Sequence, residues 1–347
     1  MGEKVRVGVV GAGQMGQCAH LRSYASLDEC EVVALAELRP ELARRVAAKY
    51  EVPAVYADHR EMLESAEVDA IVASQQFQRH GSLLPELLAT GLPVFCEKPL
   101  AGTIEAGEKI AAAESGGWLM VGYHKRSDPA TMYAKARIEH LKDSGELGAM
   151  TYVRILMPAG DWIAGGFFDL IRTGEKPPQG DLDPPAADMD AETFEEYTKF
   201  VNYYIHQINL LAHLFGEPYE VTHADPGGIL MVARSRSGVC GAIEMSPYRT
   251  SIGWQESALV CFERGYVKLE LPAPLAINRP GRVEVLSAPG AEPQTTVPHL
   301  PPVHAMRQQA KNFIAAVRGE RTPMTTAAEA LEDLRVARQY IRLLRDK

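Results

Sequence analysis

The chain has 347 residues, 46% hydrophobic and 23% charged, which is enough apolar material for real cores and more chain than one ordinary core holds. Its 36 Lys and Arg are outnumbered by 45 Asp and Glu for a formal charge of -9, with no basic block, which speaks against a nucleic-acid or anionic-lipid partner. Cys18, Cys30, Cys96, Cys240 and Cys261 are scattered and never spaced CxxC, no run reaches ~18 apolar residues, and Met1 leads straight into Glu3-Lys4. A cytoplasmic protein with reduced thiols and no metal or membrane site is expected.

In chain order, the β-branched run Val5 to Val10, a helical stretch and a second run, Val32 to Ala36, read as strand, helix, strand. The alternation continues with a helix from Pro40 to Tyr50, a strand at Ala54-Val55, a helix from His59, a strand at Ala70 to Ala73, a helix through Leu83 to Leu88 and a strand at Val94 to Cys96. A helix over Ile104 to Glu114 and a strand ending near Tyr123 complete it. This is the rhythm of an α/β fold, a doubly wound Rossmann parallel sheet.

From Met150 the texture changes to strands joined by turns: Thr151 to Met157, Ile229 to Arg234, Val239 to Met245, Ser257 to Phe262, Tyr266 to Leu271 and Arg282 to Leu286. They predict a C-terminal α+β domain on an open, largely antiparallel sheet. Residues 158–190, rich in Gly, Pro and Asp, read as a long surface loop, followed by a helix from Ala191 to Phe215. Helices at Met306 to Val317 and Thr326 to Leu344 close the chain. The expected domains are 1–122 and 123–347, with the final helix able to pack back on the first.

Gly11-Ala12-Gly13-Gln14-Met15-Gly16 fits GxGxxG directly after the first strand. The chemistry needs one glycine for the turn, one for close approach of a pyrophosphate and one for helix–strand packing. Glu37, closing the second strand, is placed to accept hydrogen bonds from ribose hydroxyls and to repel a 2′-phosphate, which favours NAD. Arg39, two residues on, keeps NADP open.

Glu97-Lys98-Pro99 falls just past the carboxyl end of the fifth strand, the edge where such sheets bind ligands. With the glycine loop, Glu37, the run Val121-Gly122-Tyr123-His124-Lys125-Arg126-Ser127-Asp128-Pro129 and the closing Phe313 to Glu320 and Pro323, the chain resembles the glucose-fructose oxidoreductase and inositol dehydrogenase family, Gfo/Idh/MocA. The resemblance implies hydride transfer between a nicotinamide and a hydroxyl or keto carbon of a sugar, cyclitol or related polyol, in a homodimer or homotetramer. It implies that Lys98 hydrogen-bonds the reacting hydroxyl and the nicotinamide ribose, and that Ser74, Gln75, Gln76 and His80 line the cofactor side with Glu97.

On the helix at 191–215, stepping about 100° per residue, Asn202, His206, Asn209 and His213 form one polar stripe on an otherwise apolar rod. The stripe predicts a pocket wall with His206 as acid or base, aided by Asn202, and convergence of Lys98 and His206 on one substrate. By the resemblance, Asn202 and Asn209 stand where relatives carry aspartates, and an amide can orient a hydroxyl but cannot ionise. Lys125, Arg126, Asp161 and Trp162 are further candidates for substrate contact, each equally at home on a surface. Two other readings stay open: a redox-neutral NAD-dependent glycosidase and a non-catalytic cofactor sensor.

Overall fold

A computed structural model describes residues 3–114, 117–178, 180 and 182–345. The chain divides into two compact units, the first gathering residues up to Tyr123 with Gly165–Phe194 and Met306–Leu334, the second taking the remainder. Residues 165–194 and 306–334 belong to the first unit, the former tied through Gln17–Ile171 and Lys49–Asp169, the latter through Phe313. Its fully buried ring lies edge-on to Tyr24, Phe95 and Trp118, with centroids 6.3, 5.7 and 5.6 Å away. Burial of one such ring stabilises by about 2–3 kcal/mol.

The first unit is built on β1 (Val5–Val10), β2 (Cys30–Ala36), β3 (Ala54–Tyr56), β4 (Ala70–Ala73), β5 (Val94–Cys96) and β6 (Leu119–Val121). All pair in parallel in the order β3-β2-β1-β4-β5-β6, the doubly wound arrangement, with a topological switch between β1 and β4. A parallel sheet is covered on both faces, which is why β1, β4 and β5 read as near-continuous apolar runs. Between the strands run α1 (Arg22–Tyr24), α2 (Pro40–Tyr50), α3 (His59–Ser65), α4 (His80–Leu88) and α5 (Ile104–Ala112). The helix expected after the glycine loop is chiefly a π-helical turn, Gly16–Leu21, which leads into α1.

The second unit opens with α6 (His124–Ser127) and α7 (Pro129–Ser144), then β7 (Met150–Ala159). Helix α7 is absent from the sequence reading, yet its signals are local: Asp128 accepts from the Ala130 amide at 2.8 Å, Pro129 takes the first turn, and Gly145 ends it at φ 63°. Helix α8 spans Ala191–Phe215, as expected. Seven more strands follow: β8 (Tyr219–Ala224), β9 (Leu230–Ser235), β10 (Cys240–Arg249), β11 (Glu256–Phe262), β12 (Gly265–Leu271), β13 (Arg282–Ser287) and β14 (Gln294–Thr296). Helices α9 (Ala305–Val317) and α10 (Ala327–Arg345) end the chain.

The eight strands are ordered β14-β13-β12-β11-β7-β10-β9-β8, antiparallel except for the β7–β10 pair. Along β7, Val153, Ile155 and Met157 are buried while Tyr152, Arg154 and Leu156 are half-exposed, so one face is covered and the other open. Among the described residues no helix is long and apolar enough to cross a membrane.

Candidate functional site

In the first unit the three glycines of the loop do three different jobs. Gly11 sits at φ 100°, and a Cβ there would stand 2.5 Å from the Ser74 carbonyl oxygen and 2.6 Å from Gln75 Nε2. A Cβ on Gly16 would meet the Gly11 carbonyl oxygen at 2.4 Å, so it fixes the close return of the chain onto the strand end. A Cβ on Gly13 would have no neighbour within 4 Å. That open approach to backbone is what a pyrophosphate needs, so the cradle fits a dinucleotide. Of the remaining loop residues, Ala12 is buried, Gln14 exposed and Met15 half-buried.

Glu37 is tied to this loop. Its Oε2 accepts from the Ala12 amide at 2.7 Å, and its two oxygens accept from the Arg39 guanidinium at 2.7 and 3.0 Å and from the Arg39 amide at 3.1 Å. The carboxylate thereby raises the Arg39 pKa further above its ordinary value. Carboxylate and guanidinium stand together at the end of β2, where the ribose of a dinucleotide is read.

Lys98 follows β5 on the same sheet edge and is half-buried. Its amide donates to Glu97 Oε2 at 3.1 Å, and Glu97 Oε1 lies 2.7 Å from His20 Nε2, on the π-helical turn. Burial opposes the Glu97 charge, but His20 and the Lys98 group outweigh it and hold the carboxyl below its ordinary range. Glu97 is therefore the strut between the phosphate-loop segment and the lysine. Gln75 touches the loop, Ser74 is half-buried and Gln76 exposed. His80 is fully buried with Nδ1 3.0 Å from the Leu100 carbonyl oxygen, and burial lowers its pKa, so it stands as a neutral support beneath the Glu97–Leu100 segment.

In the second unit, α8 carries the polar stripe. Asn202 is exposed, His206 is half-buried with its ring edge-on to His124 at 4.6 Å, and Asn209 Oδ1 accepts from Arg126 Nε at 2.7 Å. Burial, with the Arg126 and Lys135 charges, pushes the His213 pKa well down. His206, Asn209 and Arg126 are thus brought together on α8 and α6. Lys125 points inward: its ammonium is paired with Glu256, and the two residues are 4% and 1% exposed. Glu256 also accepts from Gln207 Nε2 at 2.6 Å and Trp254 Nε1 at 3.1 Å. Asp161 is exposed and caps a turn through the Ile163 and Ala164 amides, each at 3.0 Å, while the Trp162 carbonyl accepts from Leu275.

His124, Gln207, Trp254 and Glu256 are not among the candidate site residues of the sequence reading. One signal did point to Glu256: in the alternation of β11 it shares the inward parity of Ala258, Val260 and Phe262, where a charge needs a partner. Of the acidic residues near 181–190, Asp183 accepts from the Gly81 amide and Asp190 caps α8 through Thr193, whereas Asp181 lies outside the described residues.

A β3-β2-β1-β4-β5-β6 sheet with this glycine loop, an acidic residue ending β2 and a lysine after β5 has the architecture of a Rossmann-type dinucleotide-binding fold. Residues 5–123 match the Gfo/Idh/MocA family model, described as an oxidoreductase family with an NAD-binding Rossmann fold. It is 34% identical over 149 residues to the inositol 2-dehydrogenase of Burkholderia lata, covering 42% of this chain and 43% of that enzyme. It is 35% identical over 139 residues to the inositol 2-dehydrogenase/D-chiro-inositol 3-dehydrogenase of Shouchella clausii, covering 39% and 40%. The matches thus span under half the length of these curated relatives. Similarity of fold extends over 99% of the chain. The Bordetella pertussis WlbA dehydrogenase, in complex with NADH and UDP-GlcNAcA, aligns over 97% of its own length with a TM-score of 0.69 at 22% identity. The Caulobacter crescentus aldose-aldose oxidoreductase aligns over 98% of its length at 0.71 and 18%.

Proposed function

We propose that this protein is an NAD(P)-dependent dehydrogenase that transfers a hydride between the nicotinamide and a hydroxyl-bearing carbon of a sugar, cyclitol or related polyol. The observation that carries the reading is Lys98, braced by Glu97 and placed after β5 on the same sheet edge as the open Gly13 cradle. The inositol dehydrogenases that the amino-terminal region resembles support the substrate class.

Bound NAD supplies the hydride acceptor. Gly13 and its loop hold the pyrophosphate by backbone amides, and Glu37 orients the ribose. Lys98 donates a hydrogen bond to the substrate oxygen and stabilises the alkoxide charge as it develops. Within the second unit His206 is the group able to take a hydroxyl proton, with Asn202 and Asn209 on the same helix face. Ser74, Gln75 and Gln76 contribute polar groups on the cofactor side. We further assign the open face of the eight-stranded sheet to a homodimer or homotetramer, and the protein to the cytoplasm.

The test is turnover with NAD on a polyol panel that includes inositols. Lys98→Met and His206→Ala are each expected to cost about 10²–10⁴ in kcat, while NAD binding to Lys98→Met, measured calorimetrically, stays within a few fold. Near-normal turnover in both variants would show that these roles are misassigned.

A further inference from the structure

The segment after Gly165 lies along the dinucleotide half of the first unit as a strap. Gln17 and Ile171 bond both ways, Nε2 to carbonyl oxygen at 3.1 Å and Oε1 from amide at 2.9 Å. Asp169 pairs with Arg22 and, at 2.7 Å, with Lys49. Arg45 reaches the Arg172 carbonyl oxygen at 3.4 Å. These ties fix the residues that follow, and Glu175 ends the run.

Glu175 caps α2 from a great distance in sequence. The helix begins at Pro40, which has no amide hydrogen, so its first two donors are the amides of Glu41 and Leu42. Both point at one carboxylate: Glu41 N to Glu175 Oε1 at 3.0 Å and Leu42 N to Glu175 Oε2 at 2.9 Å. Thr173 Oγ1 adds a third donor at 3.2 Å. Arg39, at the cap position itself, makes no side-chain capping bond, since a guanidinium has no acceptor for the helix amides; it donates to Glu37 instead.

A dinucleotide whose ribose is read at Glu37 directs a 2′-phosphate, when it has one, toward Arg39 and the start of the next helix. The groups there able to hold it are the Arg39 guanidinium and the Glu41 and Leu42 amides. Each already serves a carboxylate, the first Glu37 and the other two Glu175. We propose that Glu175 is a specificity-determining residue, which fills the anion position at the start of α2 and so selects NAD against a 2′-phosphorylated dinucleotide. The inference rests on the dehydrogenase reading only in requiring that a dinucleotide binds. An incoming 2′-phosphate must displace the carboxylate from two amides and then share the site with its charge.

The experiment is calorimetric titration of the full chain with NAD, NADP and the fragment probe 2′,5′-ADP, for the unaltered protein, Glu175→Ala and Glu175→Gln, and for both changes in a Glu37→Gln background. Glu175→Gln keeps a carbonyl acceptor for the helix and removes the charge, and thermal melting confirms that each variant is folded. The unaltered chain is expected to bind NAD at least tenfold tighter than NADP. Either Glu175 change should raise NADP and 2′,5′-ADP affinity about tenfold, and by no less than threefold in at least one background, with NAD affinity moved less than threefold. A smaller gain in both backgrounds, or an unaltered chain that prefers NADP, overturns the assignment while leaving the dehydrogenase reading standing. An unaltered chain that binds neither dinucleotide overturns both.

Discussion

The glycine loop and the polar face of α8 hold their functional groups in opposite ways. In the loop the binding groups are backbone amides, and the side chains around them are small or absent, so Gly11, Gly13 and Gly16 each answer to a main-chain distance. On α8 and its neighbours the groups are long side chains, held by partners such as Glu256, 131 residues from Lys125 and 49 from Gln207. The first kind of site tolerates no added carbon at two of its three glycines. The second tolerates no lost charge.

The largest expected effect tests that second statement. Glu256→Leu leaves the Lys125 ammonium buried without its carboxylate and should cost about 3–5 kcal/mol in urea unfolding. The double variant Lys125→Met/Glu256→Leu should recover the part of it due to the unpaired ammonium, while Gln207 and Trp254 still lose their acceptor. Equal losses in the single and double variants would mean that packing, not charge, dominates there.

Asp128 sharpens the same point through pH. Burial pushes its carboxyl from an ordinary 3.8 up to about 6, against the pull of the Ala130 and Gly281 amides and of Lys125. A carboxyl raised on folding gives stability that is complete below its unfolded pKa and is lost as pH climbs through the folded one. The stability of the unaltered protein relative to Asp128→Asn should therefore fall between about pH 4 and 7, by up to ~3 kcal/mol. Denaturation curves at four pH values check it, and a difference that does not vary with pH would place the Asp128 pKa near its ordinary value.

Smaller effects separate the glycines. Gly16→Ala drives a methyl into the Gly11 carbonyl oxygen and should destabilise by about 1–3 kcal/mol. Gly13→Ala meets nothing in the protein, so its melting temperature should hold while NAD affinity falls at least tenfold. A Gly13→Ala variant that binds NAD normally would remove the phosphate from this loop.

What the sequence made legible follows the same division. The parallel strands announced themselves as apolar runs, with β4 and β5 at the expected residues, because burial on both faces leaves no alternation to misread. The glycine loop and Lys98 could be placed at strand ends because their sequence signals are local. Helix α7 was missed although Asp128, Pro129 and Gly145 bracket it, since the Asp-Pro pair was read as a family signature and not as a cap. Strand β14, three exposed residues, carries no pattern to find. His20 and Glu175 were invisible for a physical reason: Glu97 and Glu41, which they serve, lie 77 and 134 residues away, and only folding brings them together.

The discontinuity of the first unit bears on how the protein is made. When Tyr123 leaves the ribosome, all six strands of the parallel sheet exist, but Gln17, Lys49 and the start of α2 still await residues 165–175, and Phe95 and Tyr24 await Phe313. At about 5–20 residues per second, the last contributor emerges roughly 10–40 s later. Throughout that interval Tyr24 and Phe95 lack the ring that covers them in the folded unit.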